Sequence, residues 1–169
     1  MGDVSSVESQ KNKSELISEQ RRVVIFANQA RAEPYKKVLS TQTIQVEGIH
    51  LDIATNNLTA LTQLLNSPVP GNVPDIVITE YDPKALEPNW WTMVKRIKKL
   101  GQEAQYKDTK PVNLFILTDY LADEVDKTLI QKIESIPDYI KVLSKSDFFI
   151  NPLDTIQTKL VKTASNTPI

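Results

Sequence analysis

The residues best placed to do chemistry are two carboxylates one residue apart, Glu80 and Asp82. They end the run Pro74-Asp75-Ile76-Val77-Ile78-Thr79-Glu80-Tyr81-Asp82-Pro83. Four apolar or β-branched residues sit between one proline and an acidic turn closed by another. That pattern predicts a short strand buried on both faces, as in a parallel sheet with helices above and below. In open α/β sheets the chemistry lies just outside the carboxyl ends of the strands. Whether Glu80 and Asp82 form a working site or are solvated strand-end acids depends on what the neighbouring strands bring to the same edge.

Other chemistries are excluded by composition. The chain of 169 residues has no cysteine and one histidine. Disulfides, thiolate metal sites, cysteine nucleophiles and multi-histidine metal centres are therefore ruled out. His50 lies in the alternating stretch Gly48-Ile49-His50-Leu51-Asp52-Ile53-Ala54, on its polar face, where a solvated side chain is expected. No Ser-His-acid set assembles around it. Residues 28–33 contain no glycine, so the phosphate loop that nucleotides need after a first strand is missing. A net charge of −1 gives no footprint for nucleic acid. No apolar run approaches the ~20 residues of a membrane span, and no apolar signal core opens the chain.

The elements that would position these residues alternate. Arg22-Val23-Val24-Ile25-Phe26-Ala27-Asn28 reads as a first buried strand, with 28–33 as loop and Pro34 opening a helix. The stretch 48–54 reads as a half-exposed edge strand. Asn57 can cap a helix carrying Leu58, Leu61, Leu64 and Leu65. After the central strand, Asn89 caps a helix to about Leu100, followed by a polar connector over 101–110. Pro111-Val112-Asn113-Leu114-Phe115-Ile116-Leu117-Thr118 is a further buried strand. The next helix turns Val125, Leu129, Ile130 and Ile133 inward. Residues 138–147 read as connection, Phe148-Phe149-Ile150-Asn151-Pro152 as the last strand, and 153–162 as the last helix. Residues 1–21 read as a mobile leader and 164–169 as a frayed tail around a domain over 22–163. Five strand–helix units imply a doubly wound, five-stranded parallel sheet with helices on both faces. The expected class is α/β, flavodoxin-like, in strand order 2-1-3-4-5.

At its carboxyl edge this chain resembles a response-regulator receiver domain. Four features carry the resemblance: the Pro-Asp-apolar strand ending in an acid, the Leu117-Thr118 strand end, the pattern Phe148-Phe149-Ile150-Asn151-Pro152, and the five-unit order. In that family a strand-three Asp accepts a phosphoryl group and an acid pair after strand one holds Mg²⁺. A Thr or Ser after strand four and a Lys before a Pro on strand five contact the phosphoryl oxygens. Metal and lysine neutralise the transferred charge. Here the acceptor position falls on Glu80, the acid pair on Ala27 and Asn28, the hydroxyl on Thr118, the lysine on Asn151 and the switch aromatic on Phe148.

The resemblance implies a degenerate member, a pseudo-receiver. Glu80 is one methylene longer than Asp, which moves its oxygens by about 1.5 Å, and in-line transfer tolerates such misplacement poorly. Without an acid pair Mg²⁺ binds weakly. The expected function is a non-phosphorylatable signalling domain of a two-component or phosphorelay pathway, acting by protein–protein interaction. It would use no metal or cofactor and have no catalytic residue. The alternatives are an atypical receiver phosphorylated on Glu80 or Asp82, or a small flavodoxin-like enzyme. Expected partners are a signalling protein such as a histidine kinase, or another domain of a larger chain. A homodimer through helix 4, strand 5 and helix 5 (Leu129 to Ile133, Phe148 to Ile150, Ile156 to Leu160) is also open. The lack of cysteine is compatible with the expected cytoplasmic location. Glu80 itself is expected to hold one conformation, by accepting a hydrogen bond from Thr118.

Overall fold

A computed structural model describes residues 21–27, 29–46, 49–55, 57–69, 73–87, 89–107, 109–133 and 135–162. The expected leader, apart from Arg21, lies outside the described residues, as do the tail and Asn28, and so does the side chain of His50. The chain is a mixed α/β structure with a parallel sheet. In order, its elements are β1 (Arg21–Phe26), α1 (Gln29–Val46), β2 (Ile49–Thr55), α2 (Leu58–Leu65), β3 (Ile76–Glu80) and α3 (Trp90–Tyr106). There follow β4 (Asn113–Thr118), α4 (Ala122–Lys132), β5 (Ile140–Ser144), α5 (Lys145–Ile150) and α6 (Pro152–Lys159).

Four strands, β1-β3-β4-β5, form the body of the sheet, and β2 pairs in parallel with β1 on its outer side. The register sets Phe26 opposite Thr79, Glu80 opposite Leu117 and Thr118 opposite Ser144. Side chains of a strand alternate between faces, and here they divide the core in two. Val24, Phe26, Val77, Leu114 and Ile116 join Leu61 of α2, Met93 and Ile97 of α3, and Leu129 of α4. Val23, Ile25, Ile76, Ile78, Phe115 and Leu117 join Tyr35 and Leu39 of α1, Phe148 of α5 and Ile156 of α6. Both faces are covered, which is why β3 and β4 read as continuous apolar runs.

Caps fix the helix starts. The Asn57 side chain accepts from the Ala60 N–H at 3.2 Å. Asn89 accepts from Trp91 and Thr92, and Thr92 Oγ1 accepts from the Asn89 N–H at 3.0 Å, a reciprocal capping box. At the opposite edge of the sheet the Asp75 carboxylate is buried, pairs with Lys110 at 2.7 Å and accepts from the Arg22 N–H at 2.9 Å. Beside it the buried Asn113 side chain donates to the Val161 carbonyl at 2.9 Å and accepts from the Val161 N–H at 2.8 Å.

Four expectations are corrected. Residues 29–33 are helical, not loop, and Pro34 lies inside α1. Ala30, Arg31, Ala32 and Glu33 are all adequate helix formers, and the proline costs only the hydrogen bond to the Ala30 carbonyl and some crowding there. The stretch 101–106 continues α3 rather than breaking it. Ile130 points outward and is 58% exposed. Most consequentially, the last strand is Ile140–Ser144, and Phe148 to Ile150 belong to a helix. The Ser144 side chain accepts from the Asp147 N–H and caps that helix.

α3 continues through Gly101, where a side chain would collide with Tyr139. A Cβ would stand 1.9 Å from Tyr139 Oη and 2.1 Å from its Cζ. Tyr139 is buried, and its hydroxyl donates to the Lys98 carbonyl of α3 at 3.4 Å, a contact that a shift would open. We expect Gly101→Ala to cost about 1–3 kcal/mol despite alanine's better helix propensity. The urea midpoint should fall with an unchanged slope; a stabilised variant would contradict this packing.

Candidate functional site

The parallel register decides which residues meet. Ala27 follows Phe26 beside Glu80, Thr118 stands one strand further on, and Lys145 follows Ser144 beside Thr118. All leave the sheet at its carboxyl edge. Because α1 starts at Gln29, Arg31 and Tyr35 stand four residues apart on one helical face, and that face lies over the end of β3.

Glu80 is the centre. Its Oε1 accepts from Arg31 Nε at 3.0 Å. Its Oε2 accepts from Tyr35 Oη at 3.0 Å and from Arg31 Nη2 at 3.4 Å, and pairs with Lys145 Nζ at 2.5 Å. Lys145 also reaches Asp119 Oδ2 at 3.7 Å. Among the described residues, two cations and two carboxylates meet here. Exposure ranks the contacts. The Arg31 side chain is 58% exposed, so its pair with Glu80 is screened and contributes roughly 1 kcal/mol or less. Lys145 is 21% and Glu80 12% exposed. Removing either partner there would leave a largely desolvated charge, which costs more than the pair contributes when intact.

The residues expected at this edge divide. Glu80 is where the sequence put it. Ala27 is half-buried and brings no ligand. Thr118 is buried, and its Oγ1 accepts from the Tyr120 N–H at 2.9 Å, so it shapes the β4–α4 turn; the bonds to Glu80 come from Arg31, Tyr35 and Lys145. Asp82 is exposed and forms a turn, accepting from the Lys84 N–H at 2.9 Å through Oδ1 and from Trp90 Nε1 at 3.1 Å through its carbonyl. Asn151 does not end a strand: it is an exposed residue joining α5 to α6. Lys145, which directly follows β5, brings an ammonium to Glu80. Phe148 is not on a strand. It is fully buried in α5, with its ring 6.2 Å from Tyr35 and 5.9 Å from Phe149.

The sequence sets Asp119 at this edge after Thr118; Arg31, Tyr35 and Lys145 are residues it does not single out. The helical spacing of Arg31 and Tyr35 was available once 29–33 were taken as helix. Lys145 needed the correct last strand. Among the described residues no group of three or more His, Asp or Glu stands ready to hold a metal ion. Beside the acidic centre, Tyr81 packs on Trp90 at 4.8 Å and edge-on to Tyr120 at 5.7 Å. Lys132 Nζ lies 5.1 Å and 5.0 Å over the Trp90 and Trp91 rings.

Burial raises the Tyr35 hydroxyl far above its ordinary value, and the Glu80 charge and hydrogen bond add to the effect. Burial, with Asp138 beside it, pushes Tyr139 up to about 12. Both are raised above the unfolded value of 10.0. The neutral form therefore contributes stability in full below about pH 10, and that contribution is lost as pH climbs through the folded values. The urea midpoint should fall above pH 10, with the Tyr139 share spent by about pH 12, and Tyr139→Phe should flatten that part of the profile. A midpoint flat between pH 10 and 12 would contradict the burial of these hydroxyls. Comparison with known proteins returns no family model, no curated protein and no solved structure that matches this chain.

Proposed function

We propose that this chain is a receiver-like signalling domain that does not accept phosphate and acts through protein–protein contact. The observation that carries this reading is the state of Glu80. The place where a receiver gathers a metal ion and a phosphoryl group is already filled by Arg31 and Lys145. Arg31 and Tyr35 occupy the carboxylate oxygens that a phosphoryl donor would have to reach. The Tyr35 hydroxyl adds a third donor on the same carboxylate. Ala27 offers no carboxylate to a metal, so the arginine stands in for the divalent cation. The sheet order β2-β1-β3-β4-β5 supports a flavodoxin-like, receiver-like topology.

The partner is a signalling protein or another domain of a longer chain, met in the cytoplasm. The surface we assign to it runs over α4, β5 and α5. There Ile130 and Ile150 are exposed, at 58% and 81%, while Leu129, Phe148 and Ile156 are spent in the core. One observation favours a second reading, an atypical receiver phosphorylated on Glu80: Lys145 supplies the cation that phosphoryl transfer needs beside the acceptor.

One measurement separates the two. Incubated with acetyl phosphate and Mg²⁺, the protein should keep its unmodified intact mass. A phosphate adduct abolished by Glu80→Gln would establish the second reading in place of the first.

A further inference from the structure

Helix α5 has six residues. A helix that short does not hold itself together in water, where about 12–15 residues are marginal. Its place is set by contacts: Phe148 is buried in the core, and two further contacts lead to one atom, Glu80 Oε2. At its first position Lys145 pairs with Glu80 Oε2. In its second half Phe149 stacks on Tyr35 at 4.9 Å with the planes 27° apart, and Phe148 lies tilted against the same ring. Tyr35 is itself fixed by its hydroxyl, which donates to the same Oε2. A buried hydroxyl needs an acceptor, and among the described residues Glu80 provides it. Both ends of α5 thus reach Glu80, one by charge and one through an aromatic stack.

We propose that Glu80 is a latch for α5: its charge holds the helix docked, and any event that neutralises or withdraws that charge releases it. This deepens the reading of the chain as a signalling domain, on which it rests for its purpose, because α5 and the exposed Ile150 belong to the surface assigned to the partner. The route differs from the one expected of Thr118. The hydroxyl of Thr118 serves the β4–α4 turn, and the coupling runs through Tyr35 on α1. Tyr35 acts as a positioning residue, with its hydroxyl on the carboxylate and its ring on the helix.

Amide hydrogen exchange of the whole chain tests the latch without phosphate donor, metal or partner, so its outcome is independent of the phosphorylation experiment. Glu80→Gln keeps the side-chain volume and removes the charge. Exchange across 145–150 should quicken roughly tenfold, while β1, β3 and β4 keep their protection. Tyr35→Phe removes one oxygen and leaves the ring, and should quicken the same segment severalfold. Combined, the two should fall short of the sum of the single effects, since both routes end on the same side-chain oxygen. Unchanged exchange over 145–150 in Glu80→Gln, or fully additive effects in the pair, overturns the latch. Should Glu80→Gln lose protection throughout the sheet, Tyr35→Phe decides alone: faster exchange confined to 145–150 supports the latch, and any other pattern overturns it.

Discussion

A carboxylate with little access to water, at the end of the central strand, is the constraint around which this structure is arranged. Taking Glu80 out of water is unfavourable unless its charge is met and its lone pairs are occupied. The chain meets that demand from two directions. Helix α1 brings a guanidinium and a phenol one turn apart, and the residue after β5 brings an ammonium. Each depends on the sheet register, which sets the ends of β1, β3, β4 and β5 at one edge. A slip of one residue in β3 would turn Ile76 and Ile78 from one half of the core to the other and move the carboxylate with them.

The three donors are unequal. Arg31 stands mostly in solvent, and its pairing is the kind that salt weakens. Lys145 is more enclosed, and its Nζ lies closer to the carboxylate than either Arg31 nitrogen. Tyr35 carries no charge yet is the most completely buried of the three, with aromatic neighbours on α5. The outer contact is exchangeable and the inner two are structural. The Glu80 carboxylate is built into the packing of two helices.

Much of the scaffold was legible from the residues. The runs at β1, β3 and β4 read correctly because strands buried on both faces are apolar without interruption. Asn57 and Asn89 read as caps because their side chains do what caps do. The errors have physical causes. Pro34 reads as a helix start because proline favours the first turn, but α1 tolerates it in the interior. Gly101 reads as a break, yet it is where Tyr139 packs against the helix. The last strand was misplaced because Phe148, Phe149 and Ile150 look more strand-like than Ile140-Lys141-Val142-Leu143-Ser144. That strand lies at the sheet's border, half-covered and interrupted by a lysine. A strand ending at Ile150 would set Asn151 beside Glu80; the observed β5 sets Lys145 there.

The pairing of Asn113 with Val161 gives the domain a polarity. An amide side chain at the start of β4 imitates a strand neighbour and anchors the chain just after α6. The register puts Asn113 level with Ile76 and Val23, so the chain enters the sheet and leaves it at the same border. The acidic centre sits at the other. Whatever is joined before β1 or after Val161 is thus tethered at the pole away from Glu80.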